Sequence, residues 1–402
     1  MIERKEYLQK LLDFKDKHLI KAITGIRRCG KSTLLRQFQE YLSENGVDNT
    51  QIISLNFEDY ENEFLYDLNT LHSYILENAQ KEKTTYVFLD EIQKVKDFQK
   101  VVDSLFLRDN LDLYITGSNT DLLAGELATL LTGRYVKIEM LPLSFVEFIS
   151  VDQEKSELSS KYRSYLENSS FPATLEFGNK REMILSYLAS LYDSIVTNDI
   201  ITRNKITDTM MLKSIICFIF DNIGNYLSSK KISDYMNANG RKIDVRTVEK
   251  YITALVESYL LYPAYRYDIK GKQQLKTLNK YYAVDIGLSY AILGNEPTDW
   301  GYILENIIFL ELLRRGYQVS VGKWENYEID FIAKKPDEKF YIQVAASVRD
   351  PQTLERELYS LQKIKDHYPK YLLTLDDDPD SDHNGIKQTN ALRWLNKKNR
   401  IL

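Results

Sequence analysis

The sequence predicts an α/β protein: a parallel sheet covered by helices, then a helical region and a second α/β region. Three observations carry this. Short, nearly continuous apolar runs alternate with helix-period stretches through residues 1–140, the pattern of buried parallel strands joined by helices. A glycine-rich loop stands between the first such run and the first helix. Toward the C-terminus a helix is followed by three strand-like runs, the last two forming a hairpin around Pro336-Asp337.

In chain order, HLIKAIT (18–24) reads as a strand, KSTLLRQFQEYLSEN (31–45) as a helix, and TQIISLNF (50–57) and TTYVFLD (84–90) as strands. DFQKVVDSLFLRD (97–109) is helical, and LDLYITGSN (111–119) and RYVKIEML (134–141) are strands. Right-handed crossovers then put ligand sites at the carboxyl ends of the strands. The chain has 402 residues, 44% hydrophobic and 28% charged, which at roughly 100–200 residues per domain allows two to four domains. A net charge of −5 gives no global basic field, so a nucleic-acid role has to come from a local patch. Two cysteines, Cys29 and Cys217, exclude a disulfide framework, and no Cys/His cluster has zinc-site spacing. The four scattered histidines argue against a metallo-hydrolase. The N-terminus lacks the apolar core of a signal peptide, and no apolar run approaches the ~18–20 residues that cross a bilayer. The expectation is a reduced, cytoplasmic protein with no membrane partner.

GIRRCGKSTLL (25–35) carries the first chemistry. Gly25 and Gly30 let the backbone curl so that successive N–H groups face a polyphosphate. The helix that follows adds its positive dipole end. Gly25, Ile26, Arg27, Arg28, Cys29, Gly30, Lys31, Ser32 and Thr33 are therefore the expected ATP-binding loop. In it Lys31 reaches the β- and γ-phosphates and the Ser32 hydroxyl ligates Mg²⁺. Arg27 and Arg28 either reach phosphate oxygens or face solvent, with solvent the default. Cys29 is expected beside the phosphates, where ATP would slow its alkylation. YVFLDEIQ (86–93) ends a strand in two acids: Asp90 would hold Mg²⁺ through water, and Glu91 would orient and deprotonate the attacking water. At the end of LYITGSN (113–119), Asn119 is the expected sensor of the γ-phosphate or the lytic water, with Ser118 the alternative and a plain turn the other reading.

Together these stretches resemble the AAA-type branch of P-loop ATPases. LATLLTGRYVKIEMLPLSFVEF (127–148) is similar to a prokaryotic AAA family that carries a C-terminal domain of unknown function. The resemblance spans nearly the whole chain, and its further marks are DEIQ, KYYAVDIGL (280–288) and EIDF…YIQV. It implies ATP hydrolysis and assembly into homo-oligomers. Arg134 matches the position of an arginine finger acting in trans; the alternative is a helix-terminal arginine complementing the dipole.

Residues 141–205 read as a helical lid, with 161–200 helical by pattern and broken at Phe171-Pro172 and Gly178. Residues 206–285 read as a winged helix-turn-helix, and the stretch 201–285 carries fourteen Lys and Arg against eight Asp and Glu. Arg241, Lys242, Arg246 and Lys250 cluster at the start of its recognition helix, where DNA contacts are usual; a protein-partner role stays open beside it. Residues 286–402 resemble the restriction-endonuclease-like fold. An active member has an Asp on the first hairpin strand and Glu-x-Lys on the second. Here Asp330 fits, but Gln343-Val344-Ala345 offers a weaker ligand and no ammonium. Glu305 and Asp330 could still hold a metal loosely, yet the expectation is a scaffold that does not cleave. The function expected is a Mg²⁺-dependent ATPase that couples nucleotide state to a partner through its C-terminal half. The alternatives are an ATP-regulated DNA-binding protein and, third, a nuclease or defence effector.

Overall fold

The computed structural model describes residues 2–118, 122, 131, 133–151, 156–275, 278–294 and 299–397. It divides into two compact units, Met1–Pro142 with Glu257–Tyr259, and Leu143–Val256 with Leu260–Leu402.

The first unit is built on strands β1 (Ile20–Thr24), β2 (Ile52–Asn56), β3 (Thr85–Asp90), β4 (Leu111–Gly117) and β5 (Tyr135–Glu139). They pair in the order β2-β3-β4-β1-β5, all parallel. Every residue of β1, β3 and β4 is buried, because helices cover both faces of the sheet. Helix α1 (Lys5–Asp13) buries Tyr7 and Leu11, and α2 (Lys31–Glu44) buries Leu34, Leu35, Phe38 and Leu42. The Phe38 ring lies against Phe88 and Tyr114, with centroids 6.1 and 5.0 Å away. Helices α3 (Leu68–Asn78) and α4 (Gln99–Phe106) complete the layers. The sequence pattern did not announce α1 or α3. α3 is set locally, by Asp67 accepting from Thr70 N at 2.9 Å.

One polar feature runs through this core at the amino ends of the strands. Lys21 of β1 is fully buried and paired with Asp112 of β4, which also accepts from Tyr114 Oη at 2.8 Å and Asp16 N at 3.0 Å. A buried charge persists only with such compensation.

The second unit opens with α5 (Phe145–Ile149), capped reciprocally: Ser144 Oγ accepts from Glu147 N at 3.1 Å, and Ser144 N donates to Glu147 Oε2 at 2.8 Å. The PLSF-x-EF mark is thus a capping box. Helices α6 (Leu158–Asn168), α7 (Arg181–Ser194) and α8 (Thr209–Asp221) follow, with a 3-10 turn over Pro172–Phe177 and a π-helical run over Ile195–Thr202. Next come β6 (Tyr226–Leu227), α9 (Ser229–Ala238), α10 (Val245–Glu257), β7 (Leu261–Asp268), β8 (Gln273–Gln274) and β9 (Asn279–Ala283). α11 (Ile286–Leu293) and the buried α12 (Trp300–Arg314) lead to β10 (Gln318–Trp324), β11 (Tyr327–Lys335) and β12 (Glu338–Ala345). α13 (Pro351–Gln362), β13 (Lys370–Thr374), β14 (Ser381–His383), β15 (Ile386–Asn390) and α14 (Ala391–Asn396) finish the unit.

These strands form one ten-stranded sheet in the order β14-β15-β13-β12-β11-β10-β7-β9-β6, with β8 beside β7. The sequence reading splits this region at residue 285. In the structure β7 pairs antiparallel with β9 on one edge and parallel with β10 on the other. A strand of eight residues is long enough to serve both, so the two regions share a sheet. The KYYAVDIGL mark is likewise structural: Asp285 accepts from Ser169 Oγ (2.8 Å), Ser170 N (2.7 Å), Ser170 Oγ (2.5 Å) and Leu288 N (2.6 Å). Gly287 is needed there, because a Cβ would stand 2.6 Å from Ser169 Cβ.

Candidate functional site

The candidate site forms where β1, β3 and β4 end together. Thr24 is level with Gly117, and Asn56 with Asp90. Gly25 leaves β1 at φ 147°, and a Cβ on it would stand 2.2 Å from the carbonyl oxygen of Met140, so no larger residue passes. Gly30 is left-handed at the start of α2, which has no side-chain cap. Its first-turn N–H groups are therefore available to an anion.

Lys31 is only 4% exposed. Its Nζ donates to the carbonyls of Gly25 (3.1 Å) and Ile26 (3.3 Å) and lies 3.4 Å from Glu91 Oε1. Burial is the largest influence and works against its charge, but Glu91, Cys29 and Asp90 together outweigh it and raise the Lys31 pKa. Burial likewise opposes ionisation of Glu91, and Lys31, Gln93 and Arg27 together hold it below the usual carboxylate range. Glu91 sits at φ 54°, a left-handed turn that points its side chain back toward the loop lysine. Its backbone N–H donates to Thr116 Oγ1 at 2.9 Å, and Thr116 donates in turn to Asp90 Oδ1 at 2.5 Å. Burial pushes the Asp90 carboxyl up against the opposing hydroxyls of Thr116 and Ser32. A desolvated carboxylate beside a serine hydroxyl is a fit place for a hard divalent cation.

The structure brings Gly25, Gly30, Lys31, Ser32, Asp90 and Glu91 together. Ile26 is buried as a loop anchor, and Thr33 is half-buried in the first turn of α2. Arg28 is exposed at φ 67°, whereas Arg27 lies 3.5 Å from Glu58 rather than in solvent. Cys29 corrects the sequence reading. Its thiol is fully buried and packs beneath the loop, 3.2 Å from where a Gly25 Cβ would stand, and burial pushes its pKa up. Asn119 lies outside the described residues. Ser118 is buried, with Oγ 3.4 Å from Gln93 Nε2. Arg134 precedes β5 at the amino end of the sheet, where its carbonyl accepts from Ile20 N at 2.8 Å. Its guanidinium pairs with Asp103 and stacks over Phe106. It is thus about 15 Å along the strands from the loop of its own chain.

Three residues escaped the sequence reading as site residues. Thr116 bridges both acids. Gln93 donates to Glu91 Oε2 at 2.5 Å. Arg4, 2% exposed, donates to the carbonyls of Cys29 (3.0 Å), Leu141 (2.7 Å) and Pro142 (3.4 Å), fixing the loop to the chain after β5.

In the second unit a different charge cluster surrounds Lys280 of β9. Its Nζ lies 2.8 Å from Glu305 Oε1 and 2.6 Å from Glu328 Oε1, and Tyr282 Oη donates to Glu305 at 2.5 Å. Asp330 Oδ2 accepts from Val344 N at 2.8 Å, and Gln343 Nε2 donates to Glu357 at 2.8 Å. Burial, then the neighbouring Glu305, drives the Asp330 carboxyl well above its usual range. An ammonium is thus present among these carboxylates, supplied by Lys280 of β9 rather than by the strand that carries Gln343 and Ala345. Among the described residues, no group of three or more His, Cys, Asp or Glu is arranged to hold a metal ion. Lys242, Arg246 and Lys250 are exposed, and Arg241 donates to Ser214 Oγ and to the Met210 carbonyl at 3.2 Å. Among the described residues no helix is long and apolar enough to cross a membrane.

Residues 17–149 match the AAA domain family and residues 159–299 a domain of unknown function (DUF8612). The first unit is therefore an AAA-type P-loop ATPase domain. The chain is 42% identical over 400 residues to an uncharacterized protein of Haemophilus influenzae, covering 98% of each. It is 30% identical over 367 residues to uncharacterized protein MJ1544 of Methanocaldococcus jannaschii, covering 86% of this chain and 79% of that one. It belongs to the family of these two proteins. Among solved structures it is similar to the Walker-type ATPase PABY2304 of Pyrococcus abyssi, at 16% identity, 73% and 96% coverage and TM-score 0.48. It is also similar to AMPPCP-bound DnaA of Aquifex aeolicus, at 14% identity, 63% and 86% coverage and TM-score 0.32.

The two free cysteines give a direct check of the loop's packing, since Cys217 is exposed and Cys29 buried. Iodoacetamide on the native protein should label Cys217 and leave Cys29 unmodified with or without ATP, read by peptide mass spectrometry. Rapid Cys29 labelling would show that the thiol faces the open side of the loop.

Proposed function

We propose that the chain is a Mg²⁺-dependent ATPase that passes its nucleotide state to a partner through its C-terminal unit. The observation that supports this best is the Lys31–Glu91 pair, 3.4 Å apart and sealed from solvent beneath the glycine loop. Lys31 is positioned to exchange this carboxylate for phosphate oxygens, and the exchange releases Glu91 to act on water. Loop N–H groups and the start of α2 would hold the phosphates, and Ser32 with Asp90 would hold Mg²⁺, which supplies charge neutralisation on the phosphates. Thr116 keeps both acids in register. Arg134 would contribute only from a neighbouring copy.

We read residues 141–205 as the lid and residues 286–402 as a restriction-endonuclease-like scaffold that binds without cutting. Lys280 supports this, because its ammonium already compensates Glu305 and Glu328. A second reading, ATP-regulated DNA binding, is favoured by one observation. α9, a turn and α10 are followed by the antiparallel β7 and β9, as in a winged helix, and Lys242, Arg246 and Lys250 stay exposed on it.

Phosphate release and nucleotide titration test the first reading. Lys31→Ala should abolish ATP binding, while Glu91→Gln should keep binding and lower turnover by about 10²-fold or more. Turnover at the wild-type rate in Glu91→Gln would remove Glu91 from its role. For the second reading, gel shifts at fixed salt should be weakened by Arg246→Ala with Lys250→Ala and should change with ATP; a shift indifferent to both would exclude it.

A further inference from the structure

Gln93 belongs to the DEIQ stretch, on the 3-10 turn Ile92–Lys94 that follows β3 and Glu91. We propose that Gln93 is a positioning residue for ATP hydrolysis: its carboxamide pins Oε2 of Glu91, leaving Oε1 as the oxygen that activates water. The inference rests on the ATPase reading and specifies which atom of Glu91 acts.

The two carboxylate oxygens have different partners. Oε2 receives Gln93 Nε2 at 2.5 Å, and Oε1 lies 3.4 Å from Lys31 Nζ. When phosphate draws Lys31 away, only Oε1 is released, and it already points toward the loop that holds the phosphates. Without Gln93 both oxygens would be free, the terminal carboxylate torsion would be unrestrained, and the productive orientation would be sparsely populated.

The orientation of the amide is itself fixed. A carboxylate only accepts, so the NH₂ end must face it. The same Nε2 is 3.4 Å from Ser118 Oγ, which ties the amide to the tip of β4. Its Oε1 is buried without a hydrogen-bond partner and lies 2.9 Å from where a Cβ on Gly117 would stand. Gly117 is thus the residue that makes room for the amide, and a side chain there would push Gln93 off Glu91. Leaving a buried acceptor unpaired is unfavourable; its persistence here fits an amide held by its donor end. The charged and titratable groups facing Glu91 are Lys31, Arg27, Asp90 and Cys29, and none of them offers a neutral, fixed donor.

Gln93→Met keeps the length and packing of the side chain but cannot donate. In steady-state phosphate release it should lower kcat about tenfold, with ATP affinity and Tm close to wild type. Gln93→Ala, which adds no bulk, should show the same split. In a Glu91→Gln background, Gln93→Met should cause little further loss, because Gln93 acts through Glu91. A kcat within twofold of wild type, a loss residing entirely in KM, or a full tenfold further loss in the Glu91→Gln background would overturn the role of Gln93 while leaving the ATPase reading intact. Absence of turnover in wild type, or wild-type turnover in Glu91→Gln, would overturn both.

Discussion

The candidate site depends on one buried cation. Lys31 is 4% exposed and keeps its charge because Glu91 and two loop carbonyls surround it. Removing a charge from water carries a penalty of several kcal/mol that only close, well-aligned partners offset. The other features of the loop follow from that requirement. Gly25 passes the Met140 carbonyl with no room for a side chain, Arg4 clamps the loop backbone, and Thr116 fixes the acids that face the lysine. Because the compensation is held by a carboxylate that can be released, the arrangement can change state when a more strongly charged ligand arrives.

Among the described residues three lysines are buried, and their partners differ. Lys21 is paired with Asp112 inside the sheet at the end away from the loop, and Lys280 is enclosed by Glu305 and Glu328. Neither borders an uncapped helix start. Lys31 alone of the three combines a buried charge with the free N–H groups of α2. Around Lys280 the ammonium and the two carboxylates compensate one another.

What could be read from the sequence was local. The strands of the first unit, the glycine loop and the acidic pair Asp90-Glu91 were legible because their chemistry is carried by neighbouring residues and by a two-state alternation of apolar runs. The order of helix and strands over residues 300–345 was legible for the same reason. Contacts made across the chain were not. Arg4 meets Leu141, 137 positions away, and looks in sequence like one charge among several at the N-terminus. Thr116 lies 26 positions from Asp90, and Lys280 25 from Glu305. Cys29 was misplaced because adjacency to the phosphate loop says nothing of which side of the backbone a thiol occupies. Gln93 stood inside a quoted motif, but its role depends on the left-handed turn at Glu91, which side-chain types alone do not reveal.

The central claim is that Glu91 and the nucleotide compete for the same ammonium. Calorimetric titration of Mg²⁺-ATP into wild type and Glu91→Gln tests it most directly. Neutralising Glu91 removes a competitor, and even ~1 kcal/mol of relief corresponds to roughly fivefold tighter binding. The account predicts a lower Kd in Glu91→Gln by at least that factor; an equal or higher Kd would contradict it.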